Sequence, residues 1–307
     1  MAFDRKTVIL PDKTKFEEHT IIAKGDVIIG DRCLLQFGIK TDGRIFVGEH
    51  VIIDGNLEAT NDIRVDIFSA IGGNVKSGGN VYLGEKVKVN GKLSLKGDLD
   101  VGDSVEIDKG FEAKGWINIR SPIPVVIYLF IYLMQLLKMG HSEEIDRLLQ
   151  EMEENEGDVI PISETFLFVP NNSIIGLQKS KVDFNLHVGK KSCVLGNYDV
   201  KGNVFIDEES QIHGTVKSTA DVFCGKTTTV QGNIEAHGDV RIEDKAAIAG
   251  NVSAQKIYLS KIATVNGTLV AKNGISFMTP SKKGAEEKVA RFESNVDVVD
   301  EVKDMLE

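Results

Sequence analysis

Gly79-Asn80-Val81-Tyr82-Leu83-Gly84-Glu85-Lys86-Val87-Lys88-Val89-Asn90-Gly91-Lys92-Leu93-Ser94-Leu95-Lys96 holds three six-residue units, each with apolar residues at its third and fifth positions. Side chains two apart on a strand share a face, so each unit sends two residues one way and then turns. Three short strands with three corners make one coil of about 18 residues, and stacked coils pair their backbones about 4.8 Å apart around an apolar column. The same frame runs outward in both directions. It passes through Val27 and Ile29, Cys33 and Leu35, Ile39 and Thr41, Ile45 and Val47, Val51 and Ile53, and Leu57 and Ala59, and it reaches Ile117 and Ile119. Glycines return at the same point of the coil, at Gly25, Gly43, Gly79, Gly97 and Gly115.

The pattern returns after residue 180, with inward pairs Val204 and Ile206, Ser210 and Ile212, Val216 and Ser218, Val222 and Cys224, Val240 and Ile242, and Val252 and Ala254. Sliding the chain along itself until Pro11 falls on Pro170 also superposes Gly43 on Gly202 and Gly73 on Gly232, the mark of a tandem duplication. The lead-ins correspond too, Val8-Ile9-Leu10-Pro11 to Leu167-Phe168-Val169-Pro170, so each copy is expected to begin with a similar capping segment. After Ala254 the inward frame moves to Ile257 and Leu259, as a one-residue deletion at a corner requires. The expected fold is an all-β solenoid of two tandem three-sided parallel β-helices, joined by a helical linker and followed by a short C-terminal helix. The expected division is residues 1–121, the linker 122–160, the second β-helix 161–280 and an acidic tail 281–307.

The linker opens with the apolar run Val125-Val126-Ile127-Tyr128-Leu129-Phe130-Ile131-Tyr132-Leu133 and continues to Leu137. It falls short of the roughly 20 residues that span a bilayer. Ile145, Leu148, Leu149 and Met152 then make the i, i+3, i+4, i+7 stripe of an amphipathic helix. The run is expected either to pack against the solenoids or to meet a membrane surface or partner protein, with Val125, Ile127, Tyr128, Leu129, Phe130, Ile131, Tyr132 and Leu133 as the contact. Ile28, Leu34, Phe46, Ile52 and Tyr82 in the first half, and Phe205 and Phe223 in the second, point outward and form the expected helix-docking or lateral face, since apolar patches of this size seldom stay bare.

The 307 residues are 42% hydrophobic with a formal charge of −10, and the isoelectric point is near 5.2. This balance argues against nucleic acid or anionic lipid binding through bulk charge. Three cysteines, Cys33 and Cys224 inward and Cys193 outward, suit a reducing compartment, and no secretory signal pattern opens the chain. The cytoplasm is the expected location, with membrane association as the alternative if the apolar run meets a bilayer. No His, Cys or carboxylate spacing matches a metal site, no phosphate loop precedes a helix, and no cofactor or catalytic residue is expected.

Val230-Gln231-Gly232-Asn233-Ile234-Glu235-Ala236 and Ile248-Ala249-Gly250-Asn251-Val252-Ser253-Ala254 share a Val/Ile-x-Gly-x-hydrophobic-x-Ala pattern that resembles the bactofilins, polymer-forming cytoskeletal proteins. The resemblance covers residues 184–278 and, nearly as well, 25–120. It implies a right-handed, three-sided β-helix that polymerises end to end without nucleotide. Typical members carry a single β-helix between disordered tails. Polymerisation also follows from physics, because the ends of a β-helix present unpaired backbone groups. Ile275, Phe277 and Met278 on the last coil are the expected end contact. Two other readings stand beside the scaffold. A hexapeptide-repeat acyltransferase would use a corner histidine as general base, but here the aliphatic residue precedes the small one, as in Leu57 and Ala59. The other is an adaptor that holds a partner on its flank without polymerising.

Overall fold

A computed structural model describes residues 6–120 and 162–278. The expected linker, the amphipathic helix and the C-terminal tail lie outside the described residues. Within them every regular element is a strand, and the strands form three sheets of fourteen, twelve and twelve, here called A, B and C. Neighbouring strands within each half are one coil apart in register, as in Val81 opposite Leu99 and Val204 opposite Val222. The corner deletion is visible where Val240 pairs with Ile257, one position short of a full coil, while Ile257 pairs with Ile275 at the usual interval.

Inward residues form one continuous column that includes Val27, Ile45, Ile63 and Val81 in the first half and Leu186, Val204, Val222 and Val240 in the second, all fully buried. Burying each such side chain contributes about 1.5–3 kcal/mol. Corners supply a second set of contacts between coils. One corner carries a ladder in which each Asn or Asp side chain accepts from a backbone N–H in the next coil: Asp62 from Asn80 (2.7 Å), Asn80 from Asp98 (2.8 Å) and Asp98 from Trp116 (2.8 Å). Corners of this kind are tight enough to require glycine, because a Cβ at Gly91, for example, would collide with the Gly73 carbonyl beneath it. At the corner between A and C the chain instead uses non-glycine residues in the left-handed region: Arg32, His50, Phe68, Lys86 and Ser104, with φ of 54–57°. The amides of the first four donate upward, as His50 N–H does to the Ile67 carbonyl (3.1 Å).

The two halves are not separate solenoids with a cap each. Among the described residues all pairings are parallel except three, one in each sheet: Thr7–Leu10 with Phe166–Val169 in A, Lys15–Glu17 with Thr20–Ala23 in B, and Ile174–Ile175 with Lys179–Val182 in C. Seven, six and six strands of A, B and C lie on either side, so the three reversals form a single transverse seam. The lead-ins cross it. Thr7–Leu10 pairs in parallel with Asn185–Val188, the first coil of the second half, while Phe166–Val169 pairs with Asp26–Ile29 of the first. Each half thus takes two strands of its base coil from the other half's lead-in. This corrects the expectation that each lead-in caps its own copy. The pairing is antiparallel because each chain segment turns back in a hairpin, at Glu18 and His19 in one case, before winding into its own half.

Side chains pin the exchange. Gly30 N–H donates to the Val169 carbonyl (2.7 Å), Cys33 Sγ to the Pro170 carbonyl (3.1 Å), and Gly189 N–H to the Leu10 carbonyl (2.8 Å). Asp26, almost fully buried, accepts from the Arg44 guanidinium (2.5 Å), the Arg44 amide (3.0 Å) and the Ser163 amide (3.0 Å). Burial pushes its carboxyl up, but the bonds from Arg44 and Ser163 outweigh this and hold it below the usual 3.8. A lowered folded value stabilises the fold above the unfolded value, and that contribution is lost as pH falls through the folded one. Asp26→Asn should therefore melt below wild type at pH 7, and the gap should narrow as pH falls below about 4. Thermal unfolding across that range checks it; a gap independent of pH would contradict the ion pair's role.

Candidate assembly surfaces

Because the N-terminal sides of both halves meet at the seam, the rod ends at two C-terminal coils. In the first half these are Glu106–Ile107, Phe111–Ala113 and Ile117–Ile119, and in the second Thr264–Val265, Leu269–Ala271 and Ile275–Met278. The inward frame continues into both, but no described coil covers it. Ile119 is 73% exposed and Phe277 64%, whereas Leu259, one coil inside Phe277, is 8% exposed. Phe111, Ile117 and Ile275 are also exposed. Each end thus presents apolar side chains ringed by strand edges, which is the surface a further coil would meet.

Ile275, Phe277 and Met278 therefore sit at an open end, with Met278 half-buried. The matching residues of the first half were not singled out from sequence. The shift that carries Pro11 onto Pro170, shortened by one position for the corner deletion, carries Ile117 and Ile119 onto Ile275 and Phe277, so the signal was present. Trp116, 85% exposed and the chain's single tryptophan, stands beside them. It occupies the place in the corner ladder where the coils beneath carry Asp62, Asn80 and Asp98, and so ends the series of side-chain acceptors.

A second surface is lateral. Sheet A is continuous through the seam, and its outward column reads Tyr82, Arg64, Phe46, Ile28, Phe168, Ile9, His187, Phe205, Phe223, Arg241, Tyr258. The outward aromatics of the two halves thus belong to one stripe. Cations flank it: the Arg44 guanidinium lies 5.1 Å from the Phe46 ring centre, and Lys256 Nζ lies 4.6 Å from that of Tyr258. Leu34 and Ile52 lie on the neighbouring sheet C, where Ile52 pairs with Ala70 and the column then turns to Lys88 and Glu106. The outward face of sheet B carries the ion-pair ladder Lys40, Glu58, Lys76, with N–O distances of 3.1 and 3.0 Å. The apolar run 125–133 lies outside the described residues.

The histidines among the described residues are scattered over turns, corners and outer faces. His50 stacks on Phe68 at 5.0 Å, and His187 Nε2 lies 3.0 Å from Asp207 Oδ2 on the open flank. Among the described residues no cluster of His, Cys, Asp or Glu could hold a metal ion. The three cysteines are unpaired, and burial pushes the Cys33 thiol up to about 11 and Cys224 up to about 12, far from a nucleophile's range.

Residues 175–270 match the family model described as Bactofilin: Polymer-forming cytoskeletal. The resemblance to the bactofilins thus holds over the second half of the chain. The match starts at the seam and covers the coils of the second half as far as Val270, short of the outermost strand Ile275–Met278. The bactofilin model describes a structural family, not an enzymatic one, which accords with a surface of stacked corners and ion-pair ladders. No curated protein and no solved structure matches the chain.

The end residues should tolerate charge far better than the column beneath them. Phe277→Arg and Ile119→Arg should each lower stability by no more than about 1 kcal/mol, while Leu259→Arg should cost several times as much. Denaturant unfolding of the three variants, at protein concentrations too low for assembly, measures this. Equal losses would mean that the outer coil is covered in solution.

Proposed function

We propose that this protein is a cytoskeletal scaffold subunit that joins other copies of itself end to end, without nucleotide, through the two outer coils of its rod. The observation that carries this reading is the pair of uncovered apolar ends, Phe111, Trp116, Ile117 and Ile119 on one side and Ile275, Phe277 and Met278 on the other. The bactofilin match is consistent with it. Since the two ends are C-terminal and the N-terminal sides are already joined within one chain, growth places C-terminal coil against C-terminal coil. In such a filament the winding direction of the chain reverses at every seam and at every joint.

The finer organisation belongs to the same reading. The halves arose by tandem duplication, which accounts for the single shift that superposes them and the equal strand numbers on either side of the seam. The units are residues 1–121, a helical connector 122–160, 161–280 and an acidic tail ending in a short helix. Unpaired thiols fit a reducing cytoplasm.

Negative-stain microscopy of the full chain without nucleotide should show unbranched filaments. Phe277→Arg should stop growth, leaving pairs of rods if like ends join and single rods if unlike ends join. Trp116 offers an independent reading: its emission should move to shorter wavelength as concentration rises through assembly. Single rods of the unaltered protein at every concentration and salt would overturn the proposal in favour of the adaptor.

A further inference from the structure

We propose that the two ends of the rod recognise each other: the outer coil of the first half joins the outer coil of the second half of the next copy, so every rod in a filament points the same way. This rests on the end-to-end reading above and adds which end meets which.

The ends are alike in their exposed apolar residues and unlike in charge. The outer coil of the first half, residues 103–120, carries four exposed carboxylates, Asp103, Glu106, Asp108 and Glu112. Its cations are Lys109, Lys114 and Arg120, and Arg120 is drawn down to Asp100 in the coil beneath (2.5 Å). The outer coil of the second half, residues 261–278, carries exposed Lys261 and Lys272 and no carboxylate. The ion-pair columns end differently too. Lys88 reaches up to Glu106 (2.9 Å) and Lys92 to Glu112 (2.9 Å), so in the first half two columns stop on a carboxylate. In the second half the Lys217 and Glu235 pair (2.8 Å) is followed outward by Ser253 and Val270, and the column ends uncharged.

The seam supplies the geometry of a joint. There each sheet lies on itself and the reversed strands set outward residue against outward residue, Ile9 with Phe168 and Ile174 with Lys181. The chain winds through the sheets in the order A, C, B in the first half and A, B, C in the second. Two first-half ends placed face to face with A on A therefore bring C onto B, and set Glu106 opposite Glu112 on both flanks. Turning one rod to bring C on C or B on B sets Glu106 opposite Glu106, or Glu112 opposite Glu112. Like charges directly opposite each other across a strand pair are unfavourable.

A first-half end on a second-half end keeps every sheet on itself, as at the seam. Glu106 then stands opposite Val270 with Lys272 diagonal to it, and Glu112 opposite Thr264. On the inward side Ile117 and Ile119 meet Phe277 and Ile275. The apolar contact is kept, carboxylates no longer face one another, and the contact is heterologous, the kind that extends without closing.

Two singly blocked rods test this. Phe277→Arg closes the second-half end and leaves the first-half end as it is, and Ile119→Arg does the reverse. By sedimentation velocity, at concentrations where the unaltered protein grows, each variant alone should run as single rods. Their equimolar mixture should run as pairs of rods and nothing longer. Pairs in either variant alone would overturn the proposal and leave the end-to-end reading standing. No pairs in any of the three samples would overturn both. Should either variant fail to fold, Ile275→Arg or Ile117→Arg closes the same end, and the same outcomes apply. Adding Lys272→Glu to the Ile119→Arg rod should weaken pairing in the mixture about threefold. Unchanged pairing there would overturn the charge match on which the proposal rests.

Discussion

Each strand of a β-helix finds hydrogen-bond partners only in the coils above and below it, and the rest of this molecule follows from that constraint. A stack of coils has no lateral closure, so every amide and carbonyl at a terminal coil must be covered by something else. Here the two N-terminal coils are covered by one another. The three antiparallel pairs at the seam satisfy both faces at once, leaving open edges among the described residues only at the coils containing Ile119 and Phe277.

The exchange of lead-ins makes that junction more than a contact between two folded parts. The base coil of the first half contains Phe166–Val169 and Ile174–Ile175, and that of the second contains Thr7–Leu10 and Lys15–Glu17. Neither half has a complete base without the other's chain, and the bonds that close each base, such as Cys33 to Pro170 and Ser192 to Pro11, join residues 137 and 181 positions apart. Closing such long loops costs entropy before the contact returns any of it. The seam is therefore expected to form late, after local coil stacking has begun within each half.

Much of this was legible in sequence. The inward frame read from Val81, Leu83, Val87, Val89, Leu93 and Leu95 agrees residue by residue with the buried column, and the frame shift at Ile257 appears in the strand register. Periodicity reports which way a side chain points, and that information is local. It does not report what lies above a strand, so Ile117 and Ile119 read as core although they end the rod, and the exchanged partners of Val8-Ile9-Leu10 and Leu167-Phe168-Val169 could not be read at all. The left-handed corners at His50, Phe68 and Lys86 were also hidden, because the usual signal for that conformation is glycine or asparagine and these positions use neither. Their strain is offset by an amide donated to the next coil at every step.

The central claim is that one chain forms a single rod joined at the N-terminal sides of its halves. Asn118 and Ser276 occupy outward positions on the two outermost strands of the fourteen-stranded sheet, thirteen pairings apart, which places them about 62 Å from each other. Spin labels at Asn118→Cys and Ser276→Cys in a Cys193→Ser background, diluted into unlabelled protein and measured by pulsed dipolar spectroscopy, report that distance directly. A single narrow distribution centred at roughly 60 Å, as thirteen strand spacings require, is the result this account predicts. A broad distribution, or a principal distance below about 40 Å, too short for thirteen strand spacings, would mean that the halves fold apart or side by side, and would contradict the seam on which the account rests.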